Sequence, residues 1–249
     1  MKGKPSRTPR LHVEEELRPG TRLVLPAEAA HHAARVLRLG AGDALMLFDG
    51  RGGEYEARIL ALERGRATVA VGAHQARERE SPLAVILVQG ISSGEKMDFT
   101  IQKAVELGVA SIRPVLTGKS IVRLSAERGR AKAAHWRRIA ISACEQCGRN
   151  RIPDVREARE LGACLQDLQS GAPRVLLAAD ANETLGQVAG ERTGAIVLAA
   201  GPEAGFSAVE EALLVRAGFV RVRLGPRVLR TETAALAALA ALNALRGDF

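Results

Sequence analysis

Between the apolar run Ala195–Ala200 and a helical stretch lies GPEAGFSAVEE, Gly201–Glu211, a glycine-rich turn that carries an acid and no lysine. Turns of this kind, placed between strand and helix, let the backbone approach a ligand closely, and the usual ligand is a phosphate. A P-loop requires G-x-x-x-x-G-K-[ST], but the spacing from Gly201 to Gly205 is wrong and Phe206 stands where the lysine belongs. The dinucleotide pattern G-x-G-x-x-G fails too, because Pro202 and Ala204 break the triplet. Glu203 would repel phosphate and can accept hydrogen bonds from hydroxyls. Ser207 and Glu210 form a capping box, so the next helix start is satisfied without an anion. A neutral or cationic nucleoside fits the turn better than a nucleotide does; an ordinary tight strand-to-helix turn would read the same way.

A second stretch with chemical potential is LGPRVLRTETAALAALAALNAL, Leu224–Leu245. Gly225-Pro226 breaks a strand, and Thr231 with Glu232 opens a helix with a favourable cap and dipole. Arg230 is the only long cation in VLRTETA, and a buried guanidinium is costly unless it serves a charge. Cys144-x-x-Cys147 has no second pair to complete a tetrahedral metal set and reads as buried helix thiols; with Cys164 the cysteines lack disulfide spacing, as in a reducing compartment. His31 and His32 point about 100° apart on a helix, a poor chelating pair. No metal is expected.

The elements that must position these residues fall into two groups. Before HQARERESP (His74–Pro82), short strand-like segments recur, TRLVLP, DALMLFDG, EYEARILALE and RATVAVG, as in a small barrel. After it, strands and helices alternate. LAVILVQG suits a parallel strand buried on both faces, and RVLLAAD, AIVLAAG and VRVRLG supply more. In SSGEKMDFTIQKAVELG, Ser92 and Glu95 read as a capping box, Met97, Ile101 and Val105 share one helix face, and Gly108 ends the helix. Leu236, Leu239, Leu242 and Leu245 wrap around the last helix rather than forming one stripe, so it must be buried on more than one side. Ligands of open α/β sheets sit at the carboxyl ends of the strands. The domains expected are therefore 1–74, a linker 75–82, and 83–249.

The chain's 249 residues, 47% of them apolar, can bury a sizeable core, and no apolar run approaches the length of a membrane span. A cytoplasmic protein is expected. The net charge of +8 rests on arginine, only six of the 36 basic residues being lysine, and a guanidinium fork suits phosphate and stacks on bases. A polyanionic partner is one reading and a merely solvated basic surface the other.

RTPRLHV, HHAARVLRLGAGD, GEKMDFTIQKAVELGV, EQCGRNRIPDV, GPEAGF and LGPRVLRTETAAL occur in this order. With these motifs the chain resembles, over nearly its whole length, the RsmE family of bacterial 16S rRNA (uracil-N3)-methyltransferases. The resemblance implies an α/β fold: a SPOUT-type catalytic domain with a C-terminal trefoil knot and a mostly parallel sheet, behind a small PUA-like N-terminal β-barrel that helps hold RNA. It implies S-adenosylmethionine as methyl donor, a homodimer that completes each active site, and 16S rRNA, free or in the small ribosomal subunit, as partner. One departure is Ala204, where the family usually has glycine, and alanine tolerates a positive φ poorly.

By matching motifs, the resemblance assigns cofactor contacts to Leu177 and Ala178, to Ala200, Gly201, Pro202, Glu203 and Gly205, and to Leu224, Gly225, Val228 and Leu229. Methylating uracil N3 removes its proton and leaves negative charge, which Arg230 would stabilise; Glu232 is the candidate for the proton. For RNA the candidates are Arg7, Arg10, Lys96, Lys103, Arg149 and Arg151. Two alternatives remain: a related enzyme acting on tRNA or a ribose 2′-hydroxyl, against which LGPRVLRTETA speaks, and a non-catalytic RNA-binding or assembly factor.

Overall fold

The computed structural model describes residues 8–63, 65–119, 126–168, 171–189 and 194–249. The chain forms two units, Met1–Glu80 with Cys144–Ile152, and Ser81–Ala143 with Pro153–Phe249. The boundary falls inside the expected linker, but 144–152, expected with the second domain, belongs to the first. The reason is polar. Arg149 and Asn150 are buried, and their hydrogen-bond partners, Glu80, Arg10 and the Arg77 carbonyl, lie in the N-terminal stretch.

The first unit contains β1 (Arg10–His12), β2 (Arg22–Val24), α1 (Ala27–His31) running into a one-turn π-helix (His32–Val36), β3 (Ala44–Phe48), β4 (Glu54–Glu63) and β5 (Arg66–Gln75). The sheet order is β1-β3-β4-β5-β2, with β1 parallel to β3 and the other pairs antiparallel. Alternation sets the buried face: in β5, Ala67, Val69 and Val71 point inward and meet Leu11, Leu45, Leu47 and Ile59 in one core. Each large side chain so buried contributes about 1.5–3 kcal/mol.

Two arginines expected to meet RNA are used here instead. Arg10, its side chain 5% exposed, pairs with the buried Glu54 and donates to Asn150 Oδ1 and the Arg149 carbonyl. Arg149, also 5% exposed, pairs with Glu80. Burial demands that a guanidinium be matched, and each has found a carboxylate, so neither offers a free charge to a phosphate. Arg151 remains on the surface, 3.7 Å from Glu78. Arg7 lies outside the described residues. Cys144 is buried as expected; burial pushes its thiol up to about 12, which keeps it protonated.

The second unit contains β6 (Ala84–Gly90), α2 (Gly94–Glu106), β7 (Ser111–Leu116), α3 (Ala126–Cys147, its last residues counted with the first unit), β8 (Asp154–Val155), β9 (Arg159–Glu160), α4 (Leu161–Gln166), β10 (Arg174–Leu177), β11 (Glu183–Thr184), α5 (Leu185–Ala189), β12 (Ala195–Ala200), α6 (Ala208–Arg216), β13 (Val220–Arg223) and α7 (Thr231–Arg246). The strand order is β11-β13-β10-β12-β6-β7-β8, with β9 also on β7, and every pairing is parallel. The central strands β6 and β12 are the apolar runs VILV and IVLAA, as a sheet covered on both faces requires.

Helix α2 buries Met97, Ile101 and Val105 and stops at Gly108, whose φ is +80°. Its start differs from the expected box: Ser93, not Ser92, is the N-cap, and its hydroxyl is donated elsewhere. Helix α7 buries Ala235, Ala238, Leu239 and Leu242, while Leu236 is half-buried and Leu245 is 57% exposed. The buried Asn243 donates to the Leu107 carbonyl at 2.7 Å, satisfying an orphan acceptor at the end of α2, and accepts from Ser81 Oγ.

Candidate active site

Because β13, β10 and β12 are neighbours and parallel, their carboxyl ends deliver three loops side by side. These loops, with Lys96 of α2 and the first turn of α7, enclose a cavity of about 480 Å³, within the roughly 300–1,000 Å³ typical of small-molecule sites. Its wall is mostly apolar and main-chain: Leu177 and Ala178 from the first loop, Ala200, Gly201, Pro202 and Gly205 from the second, Leu224, Val228 and Leu229 from the third. Every residue that the family resemblance assigned to the cofactor lines it except Gly225, which makes the bend out of β13 with φ +106°. Arg230 and Glu232 line it too.

The Gly201–Gly205 turn is held by Gly205 N–H donating to the Pro202 carbonyl at 2.8 Å. The positive φ of this turn, +68°, falls on Gly205, and Ala204 keeps an ordinary negative φ. The alanine is therefore accommodated without strain. Gly201 has no room for a side chain: a Cβ there would lie 2.9 Å from Phe206 N. Beneath the turn, Gly90 at the end of β6 touches it so closely that a Cβ would lie 2.6 Å from Pro202 N and 3.0 Å from Gly201 C. Gly90→Ala should displace the turn at a cost of about 1–3 kcal/mol and weaken ligand binding in the cavity about tenfold or more. Calorimetric titration checks this, and an unchanged affinity would mean the turn does not shape the site.

A buried polar group fastens the turn from below. Gln89 Nε2 donates to Thr231 Oγ1 at 3.2 Å and to the Gly201 carbonyl at 3.4 Å, while Thr231 Oγ1 donates to the same carbonyl at 2.6 Å. Thr231 was expected to help cap α7. The N-cap position is Arg230, and the threonine hydroxyl instead ties the helix start to the turn. Arg223 holds the first loop through the carbonyls of Ala181 and Asn182, both at 2.7 Å. Lys119 Nζ reaches the carbonyls of Ala204 and Phe206. Sequence reading missed Gln89, Arg223 and Lys119 and gave Thr231 only a place at the start of the helix, since nothing in their local patterns points to a partner this far along the chain.

Glu203 is engaged within the protein. Its Oε1 accepts from Ser93 N–H at 3.1 Å, Ser93 Oγ at 2.9 Å and Lys96 Nζ at 3.2 Å. Lys96, expected on RNA, is thus the counter-ion of the turn's acid, and Lys103 pairs with Glu106 at 2.8 Å. Burial alone would raise the Glu203 carboxyl, but hydrogen bonds from its own N–H, from Ser93 and from Lys96 outweigh it and bring it down to about 2. Because the folded value is depressed from 4.5, the stabilisation is complete above about pH 4.5 and is lost as pH falls towards 2. Glu203→Gln should therefore weaken acid sensitivity in that window, modestly because the group is partly solvated. Urea unfolding of both proteins at neutral and acid pH checks it; parallel curves would remove the ionised latch from the account.

Cα traces and sequences of known proteins match over both units. Residues 79–243 match the RNA methyltransferase domain family and residues 25–72 the RNA methyltransferase PUA domain family. Ribosomal RNA small subunit methyltransferase E of Buchnera aphidicola (subsp. Schizaphis graminum) is 33% identical over 97% of this chain and 98% of its own. The Neisseria gonorrhoeae protein of the same name, solved bound to S-adenosyl methionine, is 41% identical with a TM-score of 0.91, covering 98% of this chain and 100% of that one. A Legionella pneumophila protein solved with bound SAM is 39% identical with a TM-score of 0.93 over 98% of this chain and 100% of that one.

Proposed function

The chain belongs to the ribosomal RNA small subunit methyltransferase E family, of the SPOUT fold with a PUA-like N-terminal region, and we propose that it transfers a methyl group from S-adenosylmethionine to N3 of a uridine in 16S rRNA. The observation that carries this reading is the cavity: bare glycine backbone, an apolar wall and an acid already neutralised, with an uncommitted arginine at its edge. The site fits an adenosyl sulfonium, since nothing in the wall resembles a phosphate cradle and the residues of the three loops that line it are largely apolar. S-adenosylmethionine, when bound, supplies an electrophilic methyl group.

The protein's own residues handle the uracil. Arg230 faces the cavity without a hydrogen bond or ion pair from its side chain among the described residues, and it stands at the N-terminus of α7, where the helix dipole also favours negative charge. Both stabilise the uracil anion formed as N3–H is lost. Glu232 lines the same cavity and keeps one carboxylate oxygen out of solvent with no hydrogen-bond partner among the described residues, an acceptor free to take that proton. Arg151 is retained as an RNA contact of the first unit.

The enzyme acts as a homodimer on the small ribosomal subunit in the cytoplasm; Leu245 and Phe249, 57% and 66% exposed at the end of the chain, are the apolar surface that a second copy would cover. No helix among the described residues is long and apolar enough to cross a membrane. Incubation of the protein with radiolabelled S-adenosylmethionine and either small subunits or free 16S rRNA, followed by mapping of the labelled nucleotide, tests the reading. Label on uracil N3 supports it. Label on a ribose hydroxyl or on tRNA, or cofactor binding without transfer, overturns it.

A further inference from the structure

Most cations near the cavity are committed. Lys96 pairs with Glu203, Arg223 holds two carbonyls, and Lys119 holds two more. Among the described residues Arg227, like Arg230, is different: it lines the cavity, is exposed, and makes neither hydrogen bond nor ion pair. It sits on the irregular stretch between β13 and α7, flanked by the exposed Pro226 and by Val228, which is 84% exposed. The cofactor proposed for this site is a net cation, its sulfonium and ammonium outweighing its one carboxylate, so a free guanidinium gains little from it. Its charge is open to an anion that arrives from outside.

Resting on the function proposed above, we infer that Arg227 grips a phosphate of the RNA strand beside the target uridine, leaving Arg230 to the base. Three backbone steps separate the two arginines and span at most about 10 Å, the scale that separates a nucleobase from the phosphates flanking it. Arg227 lies on an exposed stretch, residues 226–228, and lines the cavity, so a strand reaching the site can present its backbone to it, and an arginine fork suits a phosphate's paired oxygens. The exposed Val228 beside it gives a sugar or base an apolar surface.

The test uses the full chain with Arg227→Ala and Arg227→Lys. Calorimetry measures S-adenosylmethionine binding, and filter binding measures affinity for small subunits as salt is varied. Expected for Arg227→Ala are unchanged cofactor affinity, about tenfold weaker subunit binding, and a salt slope shallower by about 0.7–0.9, one phosphate contact. Lysine should retain the slope and part of the affinity. An unchanged salt slope overturns the assignment, and so does a loss confined to cofactor affinity, which would place Arg227 on the cofactor's own carboxylate. Because binding is measured apart from turnover, a protein that holds subunits through Arg227 but methylates another atom would sink the proposed function and leave this contact standing.

Discussion

Arg10→Ala is expected to destabilise the first unit by about 3–5 kcal/mol, the cost of leaving a buried charge without its partner. Glu54 is 2% exposed and accepts from Arg10 and from Arg77 Nη1 at 3.0 Å. Removing Arg10 also strips a donor from Asn150 Oδ1 and from the Arg149 carbonyl, and removes the cation lying 4.9 Å from the centre of the buried Phe48 ring. Arg77 is 56% exposed at its side chain and is solvated where Arg10 is not, so it compensates poorly. Denaturant unfolding gives the number. The double variant Arg10→Met with Glu54→Leu should recover much of the loss, because two matched apolar groups leave no orphan charge. A single substitution costing under about 1 kcal/mol, with weakened RNA binding, would return Arg10 to the role its sequence position first suggested.

Arg230→Ala is expected to lower kcat about 100- to 1,000-fold, or about 2.7–4 kcal/mol, the usual effect of removing one donor from a developing anion. The structure gives this variant a clean readout. Arg230 contributes its backbone to the fold, accepting from Ala234 N–H at 2.8 Å, but its side chain makes no cap. Unfolding midpoint and cofactor affinity should therefore stay at wild-type values while turnover falls. Lysine should rescue only partly, since it offers a point charge in place of a fork able to reach the anion's carbonyl oxygen and ring nitrogen together. Turnover unchanged, or a loss that tracks cofactor affinity, would exclude Arg230 from the chemistry.

The loops that form the cavity could be read before any fold was known, because each is announced locally. Glycines mark where backbone must turn or come close, apolar runs mark buried parallel strands, and the two sit next to each other in AIVLAAG and VRVRLG. The Ser207–Glu210 box was legible for the same reason: its partners are three residues apart and meet whenever the helix forms. The Ser92–Glu95 box, read by the same rule, failed because the helix begins one residue later: Ser93 is its N-cap and gives its hydroxyl to Glu203, 110 residues away. Local pattern proposes a partner, and a better one from elsewhere can displace it.

Charge shows the same division most sharply. The sequence by itself determined the alternation of strand and helix, the places where side chains had to be absent, and the excess of arginine. Which arginine is free was decided only by the tertiary structure. Arg10 is 44 residues from Glu54, and Arg149 is 69 from Glu80, yet folding brings each pair together and buries it. An unmatched guanidinium cannot be buried cheaply, so the long-range fold selects which cations are consumed in holding it together. Arg227 and Arg230 lie where no carboxylate among the described residues reaches them, at the mouth of the cavity, and that is a property of place rather than of residue type.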